Sequence, residues 1–212
     1  LEFRIAAAWA SRSTVRISSS VSLTMAASSA DSAAASPDLN TDCAAFNRTT
    51  GSGDNKVKLP NLARIARRSL SKPTGPGKLD QIVAGGQPGG ISLKDNLLKE
   101  CAEEAAIPAI IAAASVPVGA ISYVTERPEG LRRDVLFNYD LALPADFRPD
   151  NTDGEVEDFQ LMELDAVAAR VGEGEDFKFN CSLVVIDFLI RHGYIEADHP
   201  DYIDLINGLH GL

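Results

Sequence analysis

The chain has 212 residues, 45% of them hydrophobic, and a formal charge of −10 from 20 Lys and Arg against 30 Asp and Glu. That length suits one domain of ordinary size plus tails, and the acidic balance excludes a non-specific nucleic-acid binder, which needs a basic surface. No apolar run reaches the roughly 18 residues a transmembrane helix requires, so no membrane span is expected. Cys43, Cys101 and Cys181 are odd in number and lack the paired spacing of a zinc site. The two with apolar neighbours, Cys101 and Cys181, read as buried thiols of a protein in a reducing compartment.

Residues 1–36 hold ten Ala, ten Ser and three Arg against the acids Glu2 and Asp31. An acid-poor, Ser- and Arg-containing segment without an apolar h-region reads as an organelle transit peptide or a low-complexity leader. The composition by itself leaves the destination open among plastid, mitochondrion and cytoplasm. The chain starts at Leu1 and its first methionine is Met25, which reads as the fragment of a longer product. Residues 37–60 are polar and rich in turn formers, a linker, and 61–212 form the expected domain.

Within that domain the spacing predicts a strand over 62–65, a loop from Lys72 to Gly77 and a short apolar run over 79–83 ending at Gly85-Gly86. Ser92 followed by Asp95 resembles a capping box and opens a helix running to about Ala106, before Pro108. Strands are expected over 120–125 and 132–143, joined by a turn at Arg127-Pro128-Glu129-Gly130. Val135, Phe137, Tyr139 and Leu141 share one face of the second, the pattern of a half-buried strand. A strand over 156–161 and helices over 164–171, 180–192 and 200–209 complete an α+β fold in α/β/α layers.

The predicted helix carries the chemistry. At 100° per residue, Glu100, Glu103 and Glu104 fall within an arc of about 100°, flanking a stripe of Leu97, Leu98, Cys101, Ala102 and Ala105 expected to be buried. Glu100 and Glu104 form a like-charge pair that costs about 0.2–0.5 kcal/mol, and all three acids sit in the half of the helix where the macrodipole disfavours them. A dication relieves both penalties. Oxygen ligands favour Mg²⁺ or Mn²⁺, although a solvated acidic face is the common reading of such a pattern taken alone. The preceding Gly85-Gly86-Gln87-Pro88-Gly89-Gly90 fits neither a Walker loop nor a dinucleotide fingerprint.

Gly85, Glu100, Cys101, Glu103, Glu104 and Ile107 resemble, in register, the Nudix box G-x5-E-x7-R-E-U-x-E-E-x-G-U, where U is apolar. Ile91, Lys99 and Ala106 depart from it. If the helix ends at Ala106 with positive φ, alanine is disfavoured there by about 1 kcal/mol relative to glycine. A narrower resemblance is carried by Pro76-Gly77-Lys78-Leu79-Asp80, Val83 through Ser92, Asp140-Leu141, Asp153-Gly154-Glu155-Val156-Glu157, and Phe179-Asn180-Cys181 with Asp187 through Tyr194. These stretches are similar to the thiamine-pyrophosphokinase-related branch of the Nudix hydrolases, and residues 1–60 do not resemble the additional N-terminal domain of that branch.

The resemblance implies a mixed sheet between helices and Mg²⁺- or Mn²⁺-dependent hydrolysis of a diphosphate-linked small molecule to the monophosphate. It makes Gly85, Glu100, Glu103 and Glu104 the metal ligands and Glu100, Glu103, Glu104 and Glu155 the catalytic residues, with Glu157 an alternative to Glu155. No further cofactor is implied. The substrates it points to are oxidised thiamine diphosphate analogues, with 8-oxo-(d)GDP or ADP-ribose as alternatives, and a non-catalytic binding module as the competing class. No nucleic-acid or membrane partner is expected. The oligomeric state stays open, a dimer among the options. Arg67, Arg68 and Lys78 are candidates for phosphate contacts against the blander reading of solvated cations. His192, His199 and His210 are assigned structural or surface roles, and Tyr123, Phe137 and Tyr139 core packing.

Overall fold

The computed structural model describes residues 16–27 and 62–210, apart from 129 and 145. The elements run β1 (Arg16–Ala27), β2 (Leu62–Arg68), β3 (Leu79–Gln81), β4 (Val83–Gly86), α1 (Leu93–Ala105), α2 (Ala109–Ala112), β5 (Val116–Arg127), β6 (Gly130–Leu143), β7 (Val156–Glu163), α3 (Leu164–Glu173), α4 (Phe179–Arg191) and α5 (Tyr202–His210). Among the described residues the strands form one seven-stranded mixed sheet, ordered β3-β2-β1-β6-β5, with β4 also on β1 and β7 also on β2. β1 runs parallel to β6 from Arg16↔Arg132 to Ala27↔Leu143, and the other strand pairings are antiparallel.

Strand β1 lies inside the stretch whose composition reads as a leader. Ile17, Val21, Leu23 and Met25 fall on alternate positions with Ser and Thr between, a period-two pattern that the Ala- and Ser-rich composition conceals. The rest of 1–36 and the expected linker at 37–60 lie outside the described residues.

Helices cover both sheet faces, giving the expected α+β layering. On one, Leu97, Cys101, Ala105 and Ala112 of α1 and α2 pack on Val83, Tyr139, Leu141 and Leu143. On the other, α3 and α4 bury Leu164, Val167, Cys181, Val185 and Phe188 against Ala63, Ile65 and Leu79, while Val184 and Leu209 close over Ile121 and Leu136. β6 is therefore buried on both sides, not half-buried as its alternation predicts: Leu136 is as enclosed as Leu141. Its second face also carries the buried polar residues Asp134 and Asn138, which disguise it as a solvent face. No helix among the described residues is long and apolar enough to cross a membrane.

Helix α1 starts as its sequence dictates. Ser92 Oγ accepts from the Asp95 amide at 3.0 Å and Asp95 Oδ2 accepts from the Ser92 hydroxyl at 2.7 Å, a reciprocal cap. Its end is at Ala106, which adopts φ 50° and ψ 35°, and Ala106 is the one non-glycine residue with positive φ among those described. The left-handed turn lets the amides of Ala106 and Ile107 reach the Cys101 carbonyl. The buried stripe differs from expectation at four positions, with Leu98 only half-buried. Ala102 is exposed, whereas Asn96 and Glu104 are buried.

Candidate metal centre

A helix end leaves carbonyl groups without partners inside the helix, and at α1 the segment after β6 supplies them. The Asp150 amide donates to the Ala105 carbonyl at 3.2 Å, and the Thr152 hydroxyl donates to the Glu103 carbonyl. This docks residues 150–155 against the acidic end of α1. A tight turn then forms: Asn151 Oδ1 accepts from the amides of Asp153 and Gly154, and Asp153 Oδ1 accepts from the Glu155 amide at 2.9 Å. Gly154 takes φ 79°, which a side-chain-bearing residue resists. Strand β7 follows, and its pairing with β2 shifts register between Arg67 and Arg68, so that Arg68 stands opposite Val156, beside Glu155.

The result is a group of carboxylates from two distant stretches. Glu104, Asp153 and Glu155 each offer a carboxylate oxygen, all within 4.8 Å of one another. Glu104 is held from behind by the Ala84 amide of β4, which donates to its Oε2 at 2.7 Å. Burial pushes the Glu104 carboxyl up to about 8; the Ala84 hydrogen bond opposes this, while Glu100, Asp80 and Glu155 add to it through like-charge repulsion. A shallow pocket opens beside the group, lined by Ala66, Arg68, Asp80, Gln81, Ala84, Glu104, Glu155 and Val156.

The sequence-predicted residues divide around this group. Glu100 abuts Gly85 so closely that a Cβ on Gly85 would stand 2.1 Å from Glu100 Cδ, so any side chain there would displace the Glu100 carboxylate. Lys99 bonds Glu100 at 3.2 Å and Glu103 at 2.7 Å, and it draws the half-exposed Glu103 carboxylate toward solvent. Glu157 is exposed on β7 and outside the group. Asp153, which the sequence offered only as part of an acidic stretch, joins it. The turn signal Asn151-x-Asp153-Gly154 was legible, but its docking on α1 is non-local.

Of the candidate phosphate contacts, only Arg68 lines the pocket. Its guanidinium pairs with Asp80 at 2.5 Å and donates to the Thr74 carbonyl at 3.0 Å. Arg67 donates to the Gly77 carbonyl at 2.9 Å and Lys78 to the Glu175 carbonyl at 2.6 Å, both away from the carboxylates. Cys101 and Cys181 are buried free thiols. Burial, reinforced by Glu104 and Glu100, pushes Cys101 up to about 12, an inert thiol. Tyr139 is in the core as expected, with Phe137 packed against it, and Tyr123 meets Phe179 edge-on at 5.5 Å.

No protein-family model matches the chain. It is 53% identical over 148 residues to Nudix hydrolase 20, chloroplastic, and 52% identical over 145 residues to Nudix hydrolase 24, chloroplastic, both of Arabidopsis thaliana. These matches cover 70% and 68% of this chain and 40% of each relative, so the chain spans about two fifths of the length of the curated proteins it matches. Among solved structures its fold is similar to that of DR0079 from Deinococcus radiodurans, with a TM-score of 0.52 at 18% identity, covering 79% of this chain and 80% of that one.

Proposed function

Because the chain belongs to the Nudix hydrolase family, we infer that it is a divalent-metal-dependent diphosphatase acting on a diphosphate-linked small molecule. The observation that carries this reading is the convergence of Glu104, Asp153 and Glu155 within 4.8 Å beside a pocket lined by Arg68. The donor set fits Mg²⁺ or Mn²⁺: it is all carboxylate oxygen, without His or Cys, and its buried member is pushed up to about 8 for want of positive charge. Glu104, Asp153 and Glu155 would hold the ion, with Glu100 and the Gly85 carbonyl at the adjoining edge. Bound there, a dication supplies neutralisation of the diphosphate charge and acidification of a water.

The chain's own groups account for the remaining steps. Arg68, fixed by Asp80 and Thr74, presents its guanidinium at the pocket wall, where it orients phosphate oxygens. Ala84 fixes Glu104 through its amide, so that the carboxylate is positioned before substrate arrives. Glu155, with its side chain 45% exposed, is the member best placed to take a proton from the attacking water and pass it to solvent. Glu103, turned to Lys99, serves the outer edge of the site.

The substrate reading follows the narrower resemblance of Pro76–Asp80 and Val83–Ser92. Oxidised thiamine diphosphate analogues come first, then 8-oxo-(d)GDP and ADP-ribose, each cleaved to a monophosphate product. The names of the two relatives support a plastid setting. The domain is taken as residues 61–212. A non-catalytic binding module is the second reading, favoured by the strained Ala106 at φ 50°. Phosphate release from oxythiamine diphosphate, oxo-thiamine diphosphate and 8-oxo-dGDP, and AMP release from ADP-ribose, with and without Mg²⁺, tests both. Metal-dependent turnover of one of them, lost in Glu104→Gln, supports the enzyme. Release from none supports the binding module.

A further inference from the structure

The loop between β2 and β3 brings a cation into the carboxylate group. Lys72 Nζ pairs with Glu155 across 83 residues of sequence. The loop is anchored where it leaves β2, because the Ser69 amide donates to the Glu155 carbonyl at 2.9 Å. Lys72 is then turned back by its own amide donating to the Ser69 carbonyl at 3.2 Å, and the Ser69 and Ser71 hydroxyls hold the bend at 2.9 Å. Such an ion pair contributes little to stability: the Glu155 side chain is 45% exposed, and pairs of that kind are worth only about 0.2–1 kcal/mol. Its importance lies in what Glu155 belongs to.

Glu155 is one of the carboxylates grouped with Glu104 and Asp153, so a dication coordinated there competes with the Lys72 ammonium for the same oxygens. Lysine suits this exchange. Its charge is a compact point on a flexible four-carbon stem, whereas the neighbouring Arg68 is locked by Asp80 and Thr74. An ammonium released from Glu155 stays on a loop anchored at the pocket rim, next to where Arg68 and Glu155 line the wall. That is the position from which it meets the anionic part of a diphosphate.

We propose that Lys72 is a tethered counter-cation of the carboxylate group, exchanged off Glu155 by the incoming dication and then engaged with the substrate's phosphate oxygens. This rests on the metal-centre reading above. It makes Lys72 weaken metal binding and strengthen phosphate binding, opposite signs from one side chain, which a merely structural lysine would not give. The test uses Mn²⁺ and inorganic pyrophosphate as probes on the 212-residue chain, with Lys72→Met and the conservative Lys72→Arg, each checked for an unchanged melting temperature. Mn²⁺ titration followed by electron paramagnetic resonance should give about two- to fivefold tighter binding in Lys72→Met, the range an ion pair of this exposure supports. With Mn²⁺ saturating, calorimetry should give pyrophosphate binding weakened severalfold in Lys72→Met and partly restored in Lys72→Arg. Unchanged or weaker Mn²⁺ binding, or both ligands moving in the same direction, would overturn the proposal while leaving the metal centre intact. Absence of Mn²⁺ binding by the unmodified chain would instead overturn the metal-centre reading itself, and this proposal with it.

Discussion

Among the described residues, two clusters of carboxylates each hold a buried acid, Asp187 in one and Glu104 in the other, and their charge is handled in opposite ways. Under α4, Asp140 accepts two hydrogen bonds from Arg191, at 2.7 and 3.1 Å, and stands 2.8 Å from His192 Nε2, while Asp187 faces Arg191 at 2.7 Å and His210 at 3.2 Å. Burial alone would push the Asp140 carboxyl up, yet the hydrogen bonds from His192 and Arg191 hold it below its ordinary range. Beside α1, Glu104 has one backbone amide and several like charges, and burial with repulsion pushes it up to about 8. A compensated group ties strand to helix. Glu104, pushed up by burial and like charges, retains affinity for a cation even though Lys72 pairs with Glu155 in the same group.

Breaking each group should therefore have different consequences. Glu104→Gln should lower metal-dependent hydrolysis on the order of 10³-fold, by loss of a pre-positioned electrostatic group, while leaving the fold at least as stable; steady-state kinetics beside a thermal melt distinguishes the two effects. Arg191→Met should do the reverse. It removes the guanidinium shared by Asp140 and Asp187, whose side chains are 19% and 6% exposed, and leaves them only His192 and His210; this should destabilise the chain by about 3 kcal/mol in denaturant titrations with metal affinity unchanged.

The pH dependence gives the next effect in size. The folded carboxyl of Glu104 sits at about 8 against 4.5 for the free group, so the native state binds the extra proton. Its contribution to stability is present in full below about 4.5 and lost as pH rises through about 8. In chelator, the melting temperature should fall across that window, and the fall should flatten in Glu104→Gln; an unaltered slope in the variant would assign the titration elsewhere. The smallest effect belongs to Ala106. Replacing it with glycine relieves the left-handed conformation at φ 50°, and Ala106→Gly should raise stability by up to about 1 kcal/mol, partly offset by the freer unfolded chain. A lower melting temperature would show that the turn is not strained.

Much of this was legible because it is local. Ser92 and Asp95 mark the start of α1, Ala106 marks its end in the conformation the motif requires, and the turn after Arg127 joins two strands whose extents the pattern underestimates. Non-local features were hidden. Strand β1 was obscured by its Ser-rich composition, and the buried second face of β6 by the polar residues Asp134 and Asn138 on it. The three glutamates of α1 share one arc in the sequence, but of them only Glu104 joins Asp153 and Glu155, and spacing alone does not distinguish it from Glu103, which turns to Lys99. That difference depends on which strand lies behind each, and on where residues 150–155 dock.

Mn²⁺ binding at neutral pH to the unmodified chain, Glu104→Gln and Arg191→Met, measured by electron paramagnetic resonance, tests the contrast most directly. The expected result is a bound ion in the unmodified chain, retained in Arg191→Met under conditions where that variant is folded, and lost in Glu104→Gln. Binding that survives in Glu104→Gln, or disappears in folded Arg191→Met, would contradict the assignment of the Glu104, Asp153 and Glu155 carboxylates as the metal centre.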